Sequence, residues 1–552
     1  MRTSGAQIII EMLEKLGVEF IAGIPGGFNL PLYDALYRSP IRHILARHEQ
    51  AAGFIAQGLA RSTGKTGVCF ATSGPGVTNL LTALADAKMD SIPIVAITGQ
   101  VPLNFIGTDA FQEVDTYGIT FSITKHNFLV RSADDLPEII SAAFRIASSG
   151  RPGPVLVDIP KDIQTGYAEW NGKLFRGHRE SPPASDKEAL EKAASMINNA
   201  RKPLLLAGGG IVHSGADAAL KELAHKSSIP VVSTLMGLGA FPSSDPLFKG
   251  LIGMHGSKSS NHISELADLV IACGTRFCDR TTGRASSFCS NAGIIHIDID
   301  NSEFGKNRQA DLTVNSDIKD FLSGLLPLIA ISERALWIEE TKTVLLKHPP
   351  DMPPADNPLH PGNIIMKTGS IVPEDAIITT DVGQHQMWVA KWYNFRRPRT
   401  LLTSGGLGTM GFGLPAAIGA ALANPGKKVV CFTGDGSIMM NIQELATLSE
   451  YGLDITIIVM NNGNLGLVRQ QQDLFYGKRF IASKFLKNTD FRAVGEAFGI
   501  KSFNLANETD PEKILYKAIS EPGPCLVNVP VPETAFALPM VKPGAANLEM
   551  IG

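Results

Sequence analysis

No two cysteines in this chain stand in a C-x-x-C arrangement, although six are present: Cys69, Cys273, Cys278, Cys289, Cys431 and Cys525. The usual spacing of a redox dithiol or a zinc ribbon is therefore missing. Several of the six lie in apolar strand-like runs, where a thiol acts as a small core residue in a reducing setting. No apolar run approaches the roughly 18 residues of a membrane span. The N-terminus shows no basic region followed by a long apolar segment, so no targeting segment is expected and the chain reads as cytoplasmic. Charge of one sign is lacking too. The formal net charge is -3 with both signs interspersed, which leaves neither a basic stripe for nucleic acid nor an acidic tail. Small molecules are the expected partners, with no nucleic acid and no membrane.

The 552 residues exceed what one core can organise, and about three domains are expected. Two polar, proline-bearing stretches divide the chain, "WNGKLFRGHRESPPASD" near residue 178 and "KHPPDMPPADNPLHPGN" near residue 355. Domains are expected at 1–170, 187–346 and 363–535, followed by a tail at 536–552. A polar cap (Thr3, Ser4) opens an amphipathic helix in the first. Each block alternates near-continuous apolar runs with helical patterns: "FIAGIP", "VCFAT" and "PIVAITG", then "PLLLAGGG", "PVVSTL", "LVIACG" and "IIHIDID", then "AIITTDVG", "VVCFTGDG", "TIIVMNN" and "PCLVNVPV". Such runs imply parallel sheets covered on both faces, so the expected fold class is α/β, with three doubly wound parallel-sheet domains.

The most informative stretch runs from Val429 to Gln472. An apolar run delivers Gly434-Asp435-Gly436 to a turn, a helical pattern follows, and a second apolar run from Ile455 to Met460 ends on Asn461-Asn462. A right-handed crossover of this kind brings both loops to the carboxyl ends of parallel strands, where open α/β sheets bind ligands. Asp435 and Asn462 would then converge as oxygen donors suited to magnesium, which prefers octahedral oxygen ligands and shares its shell with phosphates. Taken singly, "GDG" is also a common turn and "NN" a common loop.

Elsewhere the single-residue signals stay open. Glu49 stands near the start of a helix, where an acid is favoured by the dipole alone; Ala51, Ala52 and Gly53 after it let another surface approach. Gly208-Gly209-Gly210 ends a strand and could present bare N–H groups to a phosphate, or form a turn that needs no ligand. Arg280 offers a fork matched to a carboxylate, or a surface ion pair. Met410 could be core filler. Gly406 to Gly411 satisfies G-x-G-x-x-G, but Cys431 and Phe432 stand where the acidic residue of a dinucleotide site would be.

The Gly-Asp-Gly and Asn-Asn pair, spaced by residues 437–460, resembles the diphosphate-anchoring motif of thiamine diphosphate enzymes. Further segments, "AGIPGG", "RHEQAAGFIAQGLAR", "SGPGVTNL", "TGQV", "IGTDAFQEVDTYGIT", "GRPGPVLVDIPKD", "STLMGLGAFPSSDPLF", "GMHG" and the terminal "PGAANLEMIG", resemble the large catalytic subunits of acetohydroxyacid (acetolactate) synthases, most specifically the bacterial isozyme I type. The likeness covers essentially the whole chain. It implies decarboxylation of pyruvate and carboligation to a second 2-oxo acid in branched-chain amino acid biosynthesis, with a flavin-dependent pyruvate oxidase as the alternative.

By that resemblance, Asp435, the Asn462 side chain and the Asn464 carbonyl hold magnesium. Gly434, Gly436, Ser437, Val382, Gly383, Gln384 and His385 flank the diphosphate. The Gly408 carbonyl meets the aminopyrimidine, Met410 bends the cofactor, and Glu49 is its activating acid. The resemblance also places Gly27, Phe111, Gln112 and Lys161 near the substrate, and makes Arg280 the holder of the second one. FAD, without a redox role in turnover, would be lined by Arg151, Gly208, Gly209, Gly210, Thr234, Leu235, Gly274, Arg276 and Asp298. The active site is expected between two subunits of a homodimer, or of a tetramer built from it, with a separate small regulatory subunit. Two departures stand out. Cys278 replaces the first Asp of the family's "RFDDR", and Gln471 replaces the Trp that favours 2-oxobutyrate, so a pyruvate-leaning acceptor pocket is expected.

Overall fold

The computed structural model describes residues 2–174 and 186–552. Part of the first proline-bearing divider, residues 175–185, lies outside the described residues.

Among the described residues there are three six-stranded sheets, and every pairing within them is parallel. The apolar runs form the central strands because such strands are buried on both faces. Ile94–Gln100, Leu269–Cys273 and Val429–Gly434 are buried along their whole length. Edge strands were not evident from periodicity. Arg42–Leu45, His126–Leu129, Leu312–Asn315, Leu401–Leu402 and Lys501–Asn504 are short, and each carries partly exposed or exposed positions that dilute the apolar signal.

Strand order separates the sheets. Numbered within each sheet, the first and third run 2-1-3-4-6-5, whereas the middle one runs 3-2-1-4-5-6. The middle order is that of dinucleotide-binding doubly wound domains, whose ligands lie in the crevice where the order reverses. Here that crevice lies between Pro203–Ala207 and Leu269–Cys273.

The first and third domains share one apolar core through the helices Glu49–Thr63 and Gly413–Ala423. Their small residues allow backbone contact: a Cβ on Gly58 would meet the Ala416 carbonyl oxygen at 2.2 Å, and one on Gly419 the Ile55 carbonyl oxygen at 1.9 Å. The surface that Gly53 admits is the neighbouring helix Pro75–Asp90, where a Cβ added to Gly53 would stand 2.5 Å from Ala83 Cβ. So the small residues after Glu49 serve helix packing within the chain.

The last residues are more than a tail. Met540–Val541 pairs antiparallel with Met550–Ile551, and the Val541 N–H donates to the Met254 carbonyl at 2.8 Å. Asn547 Nδ2 donates to the Thr281 carbonyl at 2.9 Å, so this segment braces the wall that carries Arg280.

Candidate active site

In the third sheet the order reverses between Ile377–Thr380 and Val429–Gly434, and the loops after these strands form one crevice. His385, in the first turn of the helix Gln384–Trp392, lies in it. Its ring explains two glycines: a Cβ on Gly383 would stand 2.8 Å from Cε1, and one on Gly434 would stand 3.0 Å away. Burial holds His385 neutral, with its pKa lowered to about 3. Its Nε2 is buried without a hydrogen-bond partner among the described residues, as is Asn464 Oδ1. Ser437 Oγ donates to the Val382 carbonyl at 2.7 Å and ties the two loops together.

Asp435 and Asn462 come from adjacent strands, as the crossover requires. The Asp435 carboxylate accepts from the Gly463 N–H at 2.7 Å and the Gly436 N–H at 3.1 Å. Burial nevertheless raises its pKa to about 6, so an uncompensated carboxylate there is costly and a bound cation would relieve it. Asn462 Oδ1 accepts from the Asn464 N–H at 3.0 Å. Among the described residues no three His, Cys, Asp or Glu side chains gather at one point. One carboxylate with amide and peptide oxygens is a donor set that fits magnesium, which leaves positions for water and phosphate.

Gly408, at φ +71°, lies on an exposed stretch between Leu401–Leu402 and Gly413–Ala423. That stretch is anchored to the first domain. Arg61 Nη2 lies 3.0 Å from both Asp86 and Asp90, the Gly405 and Gly406 N–H groups donate to Asp90 at 2.9 and 2.7 Å, and Ser404 and Thr409 donate to Asp86. The G-x-G-x-x-G match therefore begins on a carboxylate, not a phosphate. Met410 beside it is half-buried.

In the first domain, Gly27, Glu49, Gln112 and Lys161 all follow the carboxyl ends of strands. Glu49 is buried, and its Oε2 accepts from Asn79 Nδ2 at 2.9 Å. Its Oε1 lies toward Gly76, where an added Cβ would stand 3.6 Å away. Gln112 adopts φ +61° and its carbonyl would lie 2.8 Å from a Cβ on Gly74. The Glu113 carboxylate closes this loop by accepting from the N–H groups of Gly107, Thr108 and Ala110, which hold its pKa below the usual range. Phe111 is 79% exposed. Lys161 Nζ stands 5.8 Å from the Phe28 ring centre, and Gly27 has open space around it.

A cavity of about 1270 Å³ runs from the middle crevice toward the third domain. Arg151, Gly209, Gly210, Thr234, Leu235, Gly274, Arg276 and Asp298 line it at one end, and Val382, Gly408, Gln471 and Arg280 line it as well. Gly208 does not; its glycine is required because a Cβ would sit 2.1 Å from the Gly274 carbonyl oxygen. Arg151 pairs with Glu303 at 2.7 Å and Asp300 at 3.1 Å, and burial raises the Asp298 carboxyl to about 6. Arg280 Nη1 touches Met254 Sδ at 2.8 Å, and its ion pair with the exposed Asp279 is loose at 3.8 Å. Cys278, at the N-cap of the Asp279–Thr282 turn, makes no capping hydrogen bond, as an Asp there could.

Sequence reasoning missed three groups: the Arg61–Asp86–Asp90 clamp, the buried Asp381 under Gly411, and Gln470. Only the i, i+4 spacing of Asp86 and Asp90 at the end of one helix offered a signal. Asp381 accepts from the Gly411 N–H at 2.7 Å.

Family models of thiamine pyrophosphate enzymes match all three domains: the N-terminal TPP binding domain at residues 3–119, the central domain at 190–325 and the C-terminal TPP binding domain at 381–529. The chain is 53% identical to the acetolactate synthase isozyme 1 large subunit of Escherichia coli K12, over 100% of this chain and 98% of that one. It is 44% identical to the isozyme 2 large subunit of the same organism, covering 99% of each. It is 45% identical to a probable acetolactate synthase large subunit of Methanocaldococcus jannaschii, over 98% of this chain and 94% of that one. Likeness of this degree across all three domains, together with the Asp435 and Asn462 loops at one sheet crevice, means that the chain belongs to the acetolactate synthase large-subunit family of thiamine diphosphate enzymes.

Proposed function

We propose that the protein is an acetolactate synthase that joins pyruvate, after its decarboxylation, to a second 2-oxo acid. The observation that carries this reading is the position of Arg280. It lines the same cavity as Val382 and Gly408, and its only carboxylate partner is loose at 3.8 Å, so it can take an acceptor's carboxylate in charge-assisted hydrogen bonds. An oxidase needs no such second-substrate holder.

Thiamine diphosphate, when bound, supplies the electron sink for decarboxylation. The chain's own residues hold and aim it. Asp435, the Asn462 amide and the Asn464 carbonyl take the magnesium ion. Val382, Gly383, His385, Ser437 and the N–H groups at the first turn of Gln384–Trp392 take the diphosphate, which suits a helix N-terminus. Glu49, with Oε2 held by Asn79, passes a proton at Oε1. Gly27, Phe111, Gln112 and Lys161 would lie near the bound substrate, contributed to the site by the other chain of a dimer.

The middle strand order and the size of the cavity support FAD there, where Arg151, Arg276 and Asp298 would be among the residues that hold it. A homodimer is the proposed catalytic unit. The residues Gly27, Glu49, Phe111, Gln112 and Lys161 do not line the cavity that Arg280 and Gly408 line, while Leu30, Phe105, Phe111 and Phe121 are exposed beside them. The name "large subunit" on the relatives supports a smaller regulatory partner.

A pyruvate-only turnover assay with thiamine diphosphate and magnesium tests the activity. Acetolactate formed without matching dioxygen loss is expected; dioxygen loss with acetate and no acetolactate overturns it. Mixing the inactive variants Glu49→Gln and Asp435→Ala tests the shared site: hybrid dimers regain activity if each site draws on two chains, and stay inactive if it does not.

A further inference from the structure

Three side-chain amides, Gln384 and Gln470 buried and Asn462 half-buried, form a relay with two backbone residues behind the metal loop. Asn462 Nδ2 donates to Gln384 Oε1 at 3.0 Å. Gln384 Nε2 donates to Gln470 Oε1 at 2.8 Å and to the Ala535 carbonyl at 2.8 Å. Gln470 Nε2 donates to the Ala537 carbonyl at 3.1 Å and to Met540 Sδ at 3.2 Å, while the Ala537 N–H donates to Gln470 Oε1 at 2.8 Å. Gln384 is 4% exposed and Gln470 is fully buried, so water does not compete for these groups.

The polarity of the relay has one solution. An amide side chain has a donor end and an acceptor end that can exchange places, but a backbone N–H and C=O cannot. Turning Gln470 over would set nitrogen against the Ala537 N–H and oxygen against its carbonyl. Gln470 therefore presents oxygen to Gln384. Gln384 must answer with nitrogen, which the Ala535 carbonyl also demands, and so presents oxygen to Asn462. Asn462 must then turn its nitrogen inward, leaving Oδ1 on the side of Asn464, whose backbone N–H also selects the oxygen at 3.0 Å. A magnesium ligand needs the oxygen on that side; the amide nitrogen has no lone pair to offer a hard cation.

We infer that Gln470 is a positioning residue that, acting through Gln384 and together with the Asn464 N–H on the other side, fixes which end of the Asn462 amide faces the divalent cation. The inference rests on the reading that Asp435 and Asn462 hold such a cation. It also gives the C-terminal segment a part in the site, because the backbone of Ala535 and Ala537 sets the relay's direction. Loss of an outer partner of a metal ligand weakens metal affinity by about ten- to a hundredfold.

The test is an equilibrium titration of the full-length protein with Mn2+ in the presence of thiamine diphosphate, with free Mn2+ read by electron paramagnetic resonance. Gln470→Met and Gln384→Met are each expected to weaken binding about ten- to a hundredfold, with the double variant no weaker than the worse single one, because both break the same chain. Mn2+ affinity within twofold of the unaltered protein in Gln470→Met, or additive losses in the double variant, overturns the relay. Absence of Mn2+ binding by the unaltered protein overturns the metal site beneath it. Should the variants fail to fold, neutron diffraction of the unaltered protein decides: deuterium on the nitrogen of Asn462 facing Gln384 supports the relay, and deuterium facing the ion refutes it.

Discussion

Gly466→Ala sets two effects of opposite sign against each other. Gly466 opens the helix Gly466–Phe475 and is absent from the positive-φ residues, so its backbone accepts alanine without strain. Helix propensity and lower unfolded-state entropy would then favour alanine by up to about 1 kcal/mol. The new methyl, however, would stand 2.1 Å from Gln384 Oε1 and 2.5 Å from Asn462 Nδ2. Both atoms would have to retreat by about 1 Å, and they are the two ends of one 3.0 Å hydrogen bond. Neither end swings freely, since Gln384 is also held by Gln470 and Ala535. Overpacking of this kind costs roughly 1–3 kcal/mol, and a buried hydrogen bond left unmade costs about 1–3 kcal/mol more. The steric terms win, so the variant is expected to melt below the parent and to bind Mn2+ with thiamine diphosphate about tenfold or more weakly. A raised melting temperature with unchanged Mn2+ affinity would refute both the crowding and the relay.

Replacing Glu49 by Gln keeps an acceptor for Asn79 but cannot pass a proton; kcat is expected to fall by about 10²–10⁴ while thiamine diphosphate binding, read by calorimetry, persists, and a loss smaller than tenfold would remove Glu49 from the proton path. For Asp158, burial raises the carboxyl to about 7 against Thr98 and Gln100, which both donate to it. The unfolded chain titrates near 4, so the stability this group contributes is complete below about pH 4 and is lost as pH rises through 7. Asp158→Asn removes that loss, worth roughly 4 kcal/mol at most, and the melting-temperature difference from the parent should grow from pH 5 to pH 8; a difference that stays flat would exclude the linkage. Gln471→Trp should narrow the acceptor pocket in favour of 2-oxobutyrate, shifting the product ratio in a two-acceptor competition by about tenfold, and a shift below twofold would remove position 471 from acceptor choice.

What the amino-acid sequence determined by itself was whatever depends on residues close together along the chain. Continuous apolar runs of strand length between helical patterns require parallel sheets covered on both faces, and all three sheets have that form. Gly434-Asp435-Gly436 and Asn461-Asn462 could be placed at neighbouring strand ends because a crossover joins them directly. The capped helix Gly5–Lys15 was equally local, with Ser4 accepting from the Gln7 N–H. Tertiary structure alone decided the rest. Edge strands such as His126–Leu129 exist only because a long partner offers them hydrogen bonds, so their own residues carry little signal. The surface that approaches the helix of Glu49 proved to be other helices, since only packing reveals that Gly58 faces Ala416. The Gly408 loop depends on Asp86 and Asp90 in another domain, and the orientation of Asn462 on Gln384, Gln470 and Ala537. Such contacts arise when the domains dock and the C-terminal segment folds back over them. An amide's direction depends on a partner that no local spacing can specify, because hydrogen bonds between distant residues follow from strand order and helix packing rather than from the chain's own periodicity.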